Sequence, residues 1–160
     1  MQPLSEAAIR GSMRNCSKGE RTSLTLPALA AVAWDQTELL GWRDPRSPRR
    51  GYLVTVVDGE PVGLALRAGE TRVRRKAMCD LCRCTHDDGV ALFVAPRAGR
   101  AGRDGNTVGT YVCDDLACSR HLRAEIKPSR AVPDVGPLVA ARGLELEQRA
   151  AGFFATVLTP

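Results

Sequence analysis

The chain has 160 residues, 44% hydrophobic but only 4% aromatic, and its 23 lysines and arginines outnumber 18 aspartates and glutamates for a net charge of +5. That length fits one domain spanning 1–160 with a mainly aliphatic core, and the scarcity of aromatic rings removes the stacking platforms on which single-stranded nucleic-acid binders depend. No run approaches the roughly 18 apolar residues of a membrane-spanning helix and no apolar leader opens the chain, so a soluble, cytoplasmic, monomeric protein with no membrane partner is expected.

Taken in order, Ser5 ahead of Glu6–Arg10 predicts a short N-capped helix, because its hydroxyl oxygen can accept an orphan backbone N–H. Gly11 weakens its continuation. Asn15 to Glu20, NCSKGE, reads as a polar turn, and Cys16 within it as a small buried side chain with no nearby histidine to activate it. Between Leu24 and Trp34, Pro27 marks a first helical turn. Trp34, Leu39, Leu40 and Trp42 form an apolar group broken by Gly41, and both tryptophans read as core anchors. Asp44 to Pro48 is a proline-punctuated loop. Tyr52–Val57 and Pro61–Arg67 then flank Asp58-Gly59-Glu60, the strongest hairpin signal in the chain. This hairpin is expected to extend the sheet of the segment that follows.

That segment holds Cys79 and Cys82, spaced C-x2-C, and Cys113 and Cys118, spaced C-x4-C. Thiolates are soft ligands, four of them complete a closed tetrahedral site, and a C-x2-C turn brings two sulfurs onto one ion, so the pattern predicts one zinc ion. Disulfides are the weaker reading without a secretory leader. Two apolar runs, Val90–Val94 and Thr107–Val112, predict a hairpin between the pairs, and Asp114 and Asp115 open a helix through Arg123. A knuckle, a hairpin and a helix whose first turn supplies the last ligand make a treble-clef zinc finger, with its core at about 72–125. The expected fold class is α+β, this finger being embedded in a small mixed domain with antiparallel hairpins and flanking helices. Cys84 and His86 lie close enough to the first pair to replace one of its ligands.

Arginine supplies nearly all of the positive excess and clusters twice. Arg72, Arg74, Arg75 and Lys76 lead into the knuckle, while Arg97, Arg100 and Arg103 lie on the glycine-rich loop of the predicted hairpin. Arg74, Arg75, Lys76, Arg97, Arg100 and Arg103 are therefore candidate partner contacts, expected to form one positive rim around the zinc module. The loop from Gly99 to Gly109 lacks the lysine and the strand-to-helix setting of a phosphate loop. His86 and His121 form no recognisable triad, and an all-thiolate shell blunts the Lewis acidity a zinc hydrolase needs. Neither an enzyme nor a small-molecule substrate is expected. Lys127 to Pro137 reads as a proline-rich connector, and Leu144–Leu158 as a helix with Leu146, Ala150, Phe153 or Phe154, and Val157 on one face.

The segments CDLC, VALF, GNTVGTYVC and DDLACS resemble the zinc-binding domain of the elongation factor G-binding protein family, and NCSKGE, LGWRDP and YLV extend the likeness upstream. The resemblance implies a treble clef that binds elongation factor G and helps it leave the ribosome when fusidic acid has trapped it there. The resistance proteins of that family carry a further N-terminal helical bundle, for which this chain has no room ahead of its zinc domain. Some members place a histidine in the first ligand pair, which keeps His86 open beside Cys82; Cys84 has no counterpart in the resemblance. Two other functions fit the same residues: direct binding of ribosomal or other RNA by the arginines, and redox sensing in which Cys84 attacks an oxidised ligand.

Overall fold

The computed structural model describes residues 1–72, 76–87 and 89–159. Helices α1 (Glu6–Ser12) and α2 (Lys18–Ser23) precede strands β1 (Leu40–Asp44), β2 (Ser47–Val57) and β3 (Glu60–Arg72). The zinc-finger segment follows with β4 (Ala77–Met78), β5 (Thr85–His86), β6 (Val90–Pro96), α3 (Gly99–Arg103), β7 (Thr107–Cys113) and α4 (Cys118–Glu125), and α5 (Gly136–Leu158) closes the chain. Arg74 and Arg75 of the predicted partner cluster lie outside the described residues.

The Asp-Gly signal makes the turn it predicts. Asp58 (φ 51°) and Gly59 (φ 84°) both sit in the left-handed region, as a two-residue hairpin turn requires, and Val57 pairs with Glu60. The expected loop at Asp44–Pro48 is a second tight hairpin, in which Asp44 pairs with Ser47. Buried Asp44 holds it by accepting N–H groups of Arg46 (2.9 Å) and Thr25 (3.2 Å). β3 then pairs with β6 and β6 with β7, giving one antiparallel sheet in the order β1-β2-β3-β6-β7. The first hairpins thus extend the sheet of the zinc segment, as expected.

Both faces of this sheet are covered, which explains why Gly51 to Thr55 are buried without alternation. Leu53, Leu64, Leu66 and Phe93 point to one core, shared with the cysteines, α4 and the face of α5 carrying Leu146, Ala150, Phe154 and Val157. Tyr52, Val54, Leu40 and Trp42 point to the other, closed by Ile9 and Met13 from the N-terminal arm. Trp42 and Tyr52 stack at 5.1 Å there, and the indole N–H of Trp42 donates to Thr25 O at 2.9 Å. Both faces of β2 therefore anchor something outside the zinc segment.

Several local readings differ from the structure, among them the start of α5, which begins at Gly136 rather than Leu144. Leu24–Trp34 forms no α-helix but short 3₁₀ turns at Leu29–Ala31, with a second at Trp34–Gln36. Leu26, Leu29 and Val32 recur every third residue and pack together on the N-terminal core, a spacing that suits the 3₁₀ turn. NCSKGE is more than a turn: Ser17 and Glu20 form a reciprocal capping box that starts α2. The helix expected from Asp114 begins at Cys118 instead, because the preceding residues make a tight turn with Leu116 at φ 61°. The glycine-rich loop contains the short helix α3.

Gly41 does not break β1; it makes room in it. A Cβ there would lie 2.2 Å from the carbonyl oxygen of Leu116, and one at Gly51 would lie 2.5 Å from the Leu116 side chain. Leu116 is fully buried in the turn between Cys113 and Cys118, so these glycines seat the second half of the cysteine cluster on the first hairpin. Gly41→Ala should destabilise the protein by about 2 kcal/mol in denaturant unfolding, since the obstructing atom is backbone and cannot rotate away. A Gly59→Ala control should cost less, as nothing lies within 4 Å of that position beyond its own left-handed backbone.

Candidate metal centre

Two turns deliver the sulfurs. In the first, β4 and β5 pair antiparallel (Met78 with Thr85, Ala77 with His86), Cys79 N–H donates to Cys84 O at 2.9 Å and Arg83 N–H to Cys79 O at 3.0 Å. Cys82 N–H points at Cys79 Sγ (3.4 Å), a contact that favours the thiolate. In the second, Leu116 N–H donates to Cys113 O at 2.8 Å, and Cys118 follows as the first residue of α4. Asp115 accepts from Ala117 N–H (3.0 Å) and lies 2.9 Å from His121 Nε2, fixing the start of that helix.

The result is a cluster in which Cys79, Cys82, Cys113 and Cys118 all place Sγ within 4.8 Å of one another, each fully buried. Cys79 and Cys118 sulfurs are 3.8 Å apart and those of Cys82 and Cys113 3.5 Å. Four thiolates around zinc at about 2.3 Å form a tetrahedron whose edges are about 3.8 Å, so the donor set fits one closed structural zinc ion. Its proton chemistry points the same way. Hydrogen bonds from Cys113 and Cys118 push the Cys79 thiol pKa far down, while Cys118 is pushed far up by its hydrogen bonds to Cys113 and Cys79 and by burial. Four buried thiols cannot all ionise side by side unless a cation neutralises them.

Cys84 is buried beside this cluster but outside it, its Sγ 3.8 Å from Cys82 O, and burial raises its pKa. His86 brings Nε2 to 3.4 Å from Cys113 Sγ and meets the His121 ring edge-on at 4.6 Å. It stands against a sulfur that already completes the set of four. Cys16 is half-buried elsewhere, its thiol raised by burial and by Glu20.

The supports of the centre come from distant parts of the chain, and sequence reading missed them. Asp80 lashes the knuckle to β7: its carboxylate accepts Tyr111 N–H (2.7 Å) and the Thr110 hydroxyl (3.1 Å), and its own N–H donates to Tyr111 O (2.7 Å). Arg43 on β1 binds the second turn through the Asp114 carboxylate (2.6 Å) and lies 5.0 Å above the Phe93 ring. From α5, Arg142 donates to Cys82 O (3.3 Å) and Arg149 to Leu81 O. Arg43 lay within the motif LGWRDP, Asp80 within CDLC and Asp114 within DDLACS, whereas Arg142 and Arg149 had no motif to mark them.

Among the described residues, the arginines of the hairpin loop do not join Lys76 in one rim. Lys76 is exposed at the zinc end, next to β4. Val90 pairs with Cys113 at that end of the β6–β7 hairpin and Pro96 with Thr107 at the other, so Arg97, Arg100 and Arg103 begin about 20 Å away. Arg97 is bound to the end of α5, donating to Thr156 O (2.7 Å) and Thr159 O (3.0 Å). Arg100 and Arg103 are exposed, Arg100 lying 3.4 Å from Asp104. The error came from treating sequence proximity to a hairpin as proximity to its base.

Purified protein should contain one zinc per chain, and Cys113→Ser should lose both zinc and the folded state, since closing a structural zinc site stabilises zinc-finger peptides by about 10 kcal/mol or more. Cys84→Ser and His86→Ala should retain full zinc by elemental analysis. Zinc loss in His86→Ala with retention in Cys82→Ser would reassign the first pair.

Compared with known proteins, residues 8–157 match the FBP C-terminal treble-clef zinc-finger family. No curated protein matches. Among solved structures, the fusidic acid resistance protein FusC is similar at 21% identity and a TM-score of 0.49 over 74% of this chain, which spans 49% of the length of FusC. With the match running from α1 to the last turn of α5 and through both cysteine pairs, the chain belongs to the FBP C-terminal treble-clef zinc-finger family.

Proposed function

We propose that this chain is a non-enzymatic zinc module that binds elongation factor G and promotes its release from the ribosome. Family membership across residues 8–157 carries the reading, together with the likeness of CDLC, GNTVGTYVC and DDLACS to elongation factor G-binding proteins. The chemistry of the centre supports binding over catalysis. Four thiolates fill the tetrahedral positions of zinc and leave none for a water or substrate, and the one thiol that His86 meets, Cys113, is itself a member of that set of four.

The zinc end offers the contact chemistry such a role needs. Met78 and Tyr111 are 51% and 46% exposed, and the bonds of Tyr111 N–H to the Asp80 carboxylate and of Asp80 N–H to Tyr111 O bring their two segments to one edge. Methionine and tyrosine are common anchors of protein interfaces, and exposed Lys76 and Arg83 beside them would steer an acidic factor toward that edge. The far-end arginines play no part in this contact.

Zinc-loaded protein should capture purified elongation factor G without ribosomes, and failure to do so would end the proposal. Met78→Asp with Tyr111→Asp should weaken capture about ten-fold or more at unchanged zinc content. Arg100→Glu with Arg103→Glu should leave it intact; the opposite pattern would move the interface to the far end of the hairpin.

A further inference from the structure

The far end of the hairpin has a feature of its own. The turn between α1 and α2, the middle of β3 and the start of α3 enclose a cleft of about 450 Å³, lined by Arg14, Arg21, Arg67, Arg97 and Arg103 with Glu20 as its one carboxylate. Glu20 is occupied by the capping box, where the backbone N–H of Ser17 holds its pKa down, and it reaches Arg67 only at 4.0 Å. Among the described residues, Arg14 and Arg103 have no carboxylate partner. Arg21 Nε is buried with no hydrogen-bond partner, an orphaned donor at the wall of the cleft. A second hollow, of about 340 Å³, shares Arg67 and continues along β2 past Arg50, which pairs with Arg67 across the strands.

We propose that this arginine cleft binds the phosphodiester backbone of RNA. Guanidinium forks match phosphate oxygens two at a time, and every cation of the cleft is arginine rather than lysine. An acidic protein is the poorer fit, because stable protein interfaces centre on a large buried apolar or aromatic anchor and the apolar side chains of this lining are only Pro96 and the small Cys16. With no aromatic ring in the larger cleft to stack on a base, recognition is of the backbone and independent of sequence. The choice of RNA among nucleic acids rests on the elongation-factor reading, since such a factor is met on the ribosome. The cleft and the Met78–Tyr111 edge lie at opposite ends of the β6–β7 hairpin, so one chain could hold RNA and the factor together.

Fluorescence polarisation with a labelled 20-nucleotide RNA hairpin, over a potassium chloride series, tests this in the zinc-loaded full chain. Binding should be sequence-independent. Arg14→Glu with Arg67→Glu, two exposed positions outside the factor contact, should weaken it at least ten-fold and reduce the slope of log affinity against log salt by about 2. Capture of elongation factor G by the same variant should be unchanged. Undiminished RNA affinity in the variant overturns the assignment, as does loss of factor capture in step with RNA. Wild-type protein that binds RNA through these arginines but captures no factor overturns the factor reading alone.

Discussion

Four thiolates at van der Waals distance in a buried pocket repel one another and have no water to spread their charge, so the sulfur cluster is stable only around a cation. The demand that Cys79, Cys82, Cys113 and Cys118 converge decides much of the surrounding architecture. Asp80 spends its carboxylate on the β7 backbone, Arg43 reaches from β1 to Asp114, and α5 presents Arg142 and Arg149 to the knuckle carbonyls. Each support holds a turn rather than a sulfur. A tetrahedral site tolerates little displacement of its ligands, and it is the turns that set where the ligands stand.

The N-terminal half of the chain is tied to the same demand. Leu116 enters the left-handed region so that the turn from Cys113 to Cys118 can close, and its side chain must then go somewhere dry. Gly41 and Gly51 provide that place by lacking side chains on adjacent paired strands. The other face of those strands is covered by Trp42, Tyr52, Ile9 and Met13. A family likeness that runs from α1 to α5 follows naturally, since removing the N-terminal arm would uncover the sheet on which the second ligand turn rests.

What could be read without coordinates were features with local causes. The Asp-Gly turn, the two cysteine spacings, the hairpin between them and the buried stripe of α5 each depend on residues within a few positions of one another. Features that depend on the third dimension were misread. Gly41 looked like a break because its reason for being glycine, the carbonyl of Leu116, is far away in the chain. The strand at Tyr52–Val57 could not announce burial on both faces until α5 and the N-terminal arm were seen to sit on opposite sides. The capping box of Ser17 and Glu20 has a local signature, a serine three residues ahead of a glutamate, within a segment whose polar composition equally suits a turn.

The two ends of the β6–β7 hairpin also explain why the charge of this protein is better described as two surfaces than as one. The zinc end keeps its cysteines buried, and among the described residues it exposes Met78 and Tyr111, side chains of the kind that anchor protein interfaces. The far end is free of that demand and brings arginines from the α1–α2 turn, β3 and the β6–α3 corner around one hollow. Asn15 is the piece that makes this corner rigid, for its amide donates to Ala65 O and Pro96 O (both 2.9 Å) and its carbonyl accepts Ala65 N–H (2.7 Å). With the arm fixed to β3 and β6 by one side chain, the backbone that carries Arg14, Arg67 and Arg97 is set around one corner before any ligand arrives, and these arginines share it. Their mutual repulsion is then borne by the fold, and a bound polyanion would relieve it.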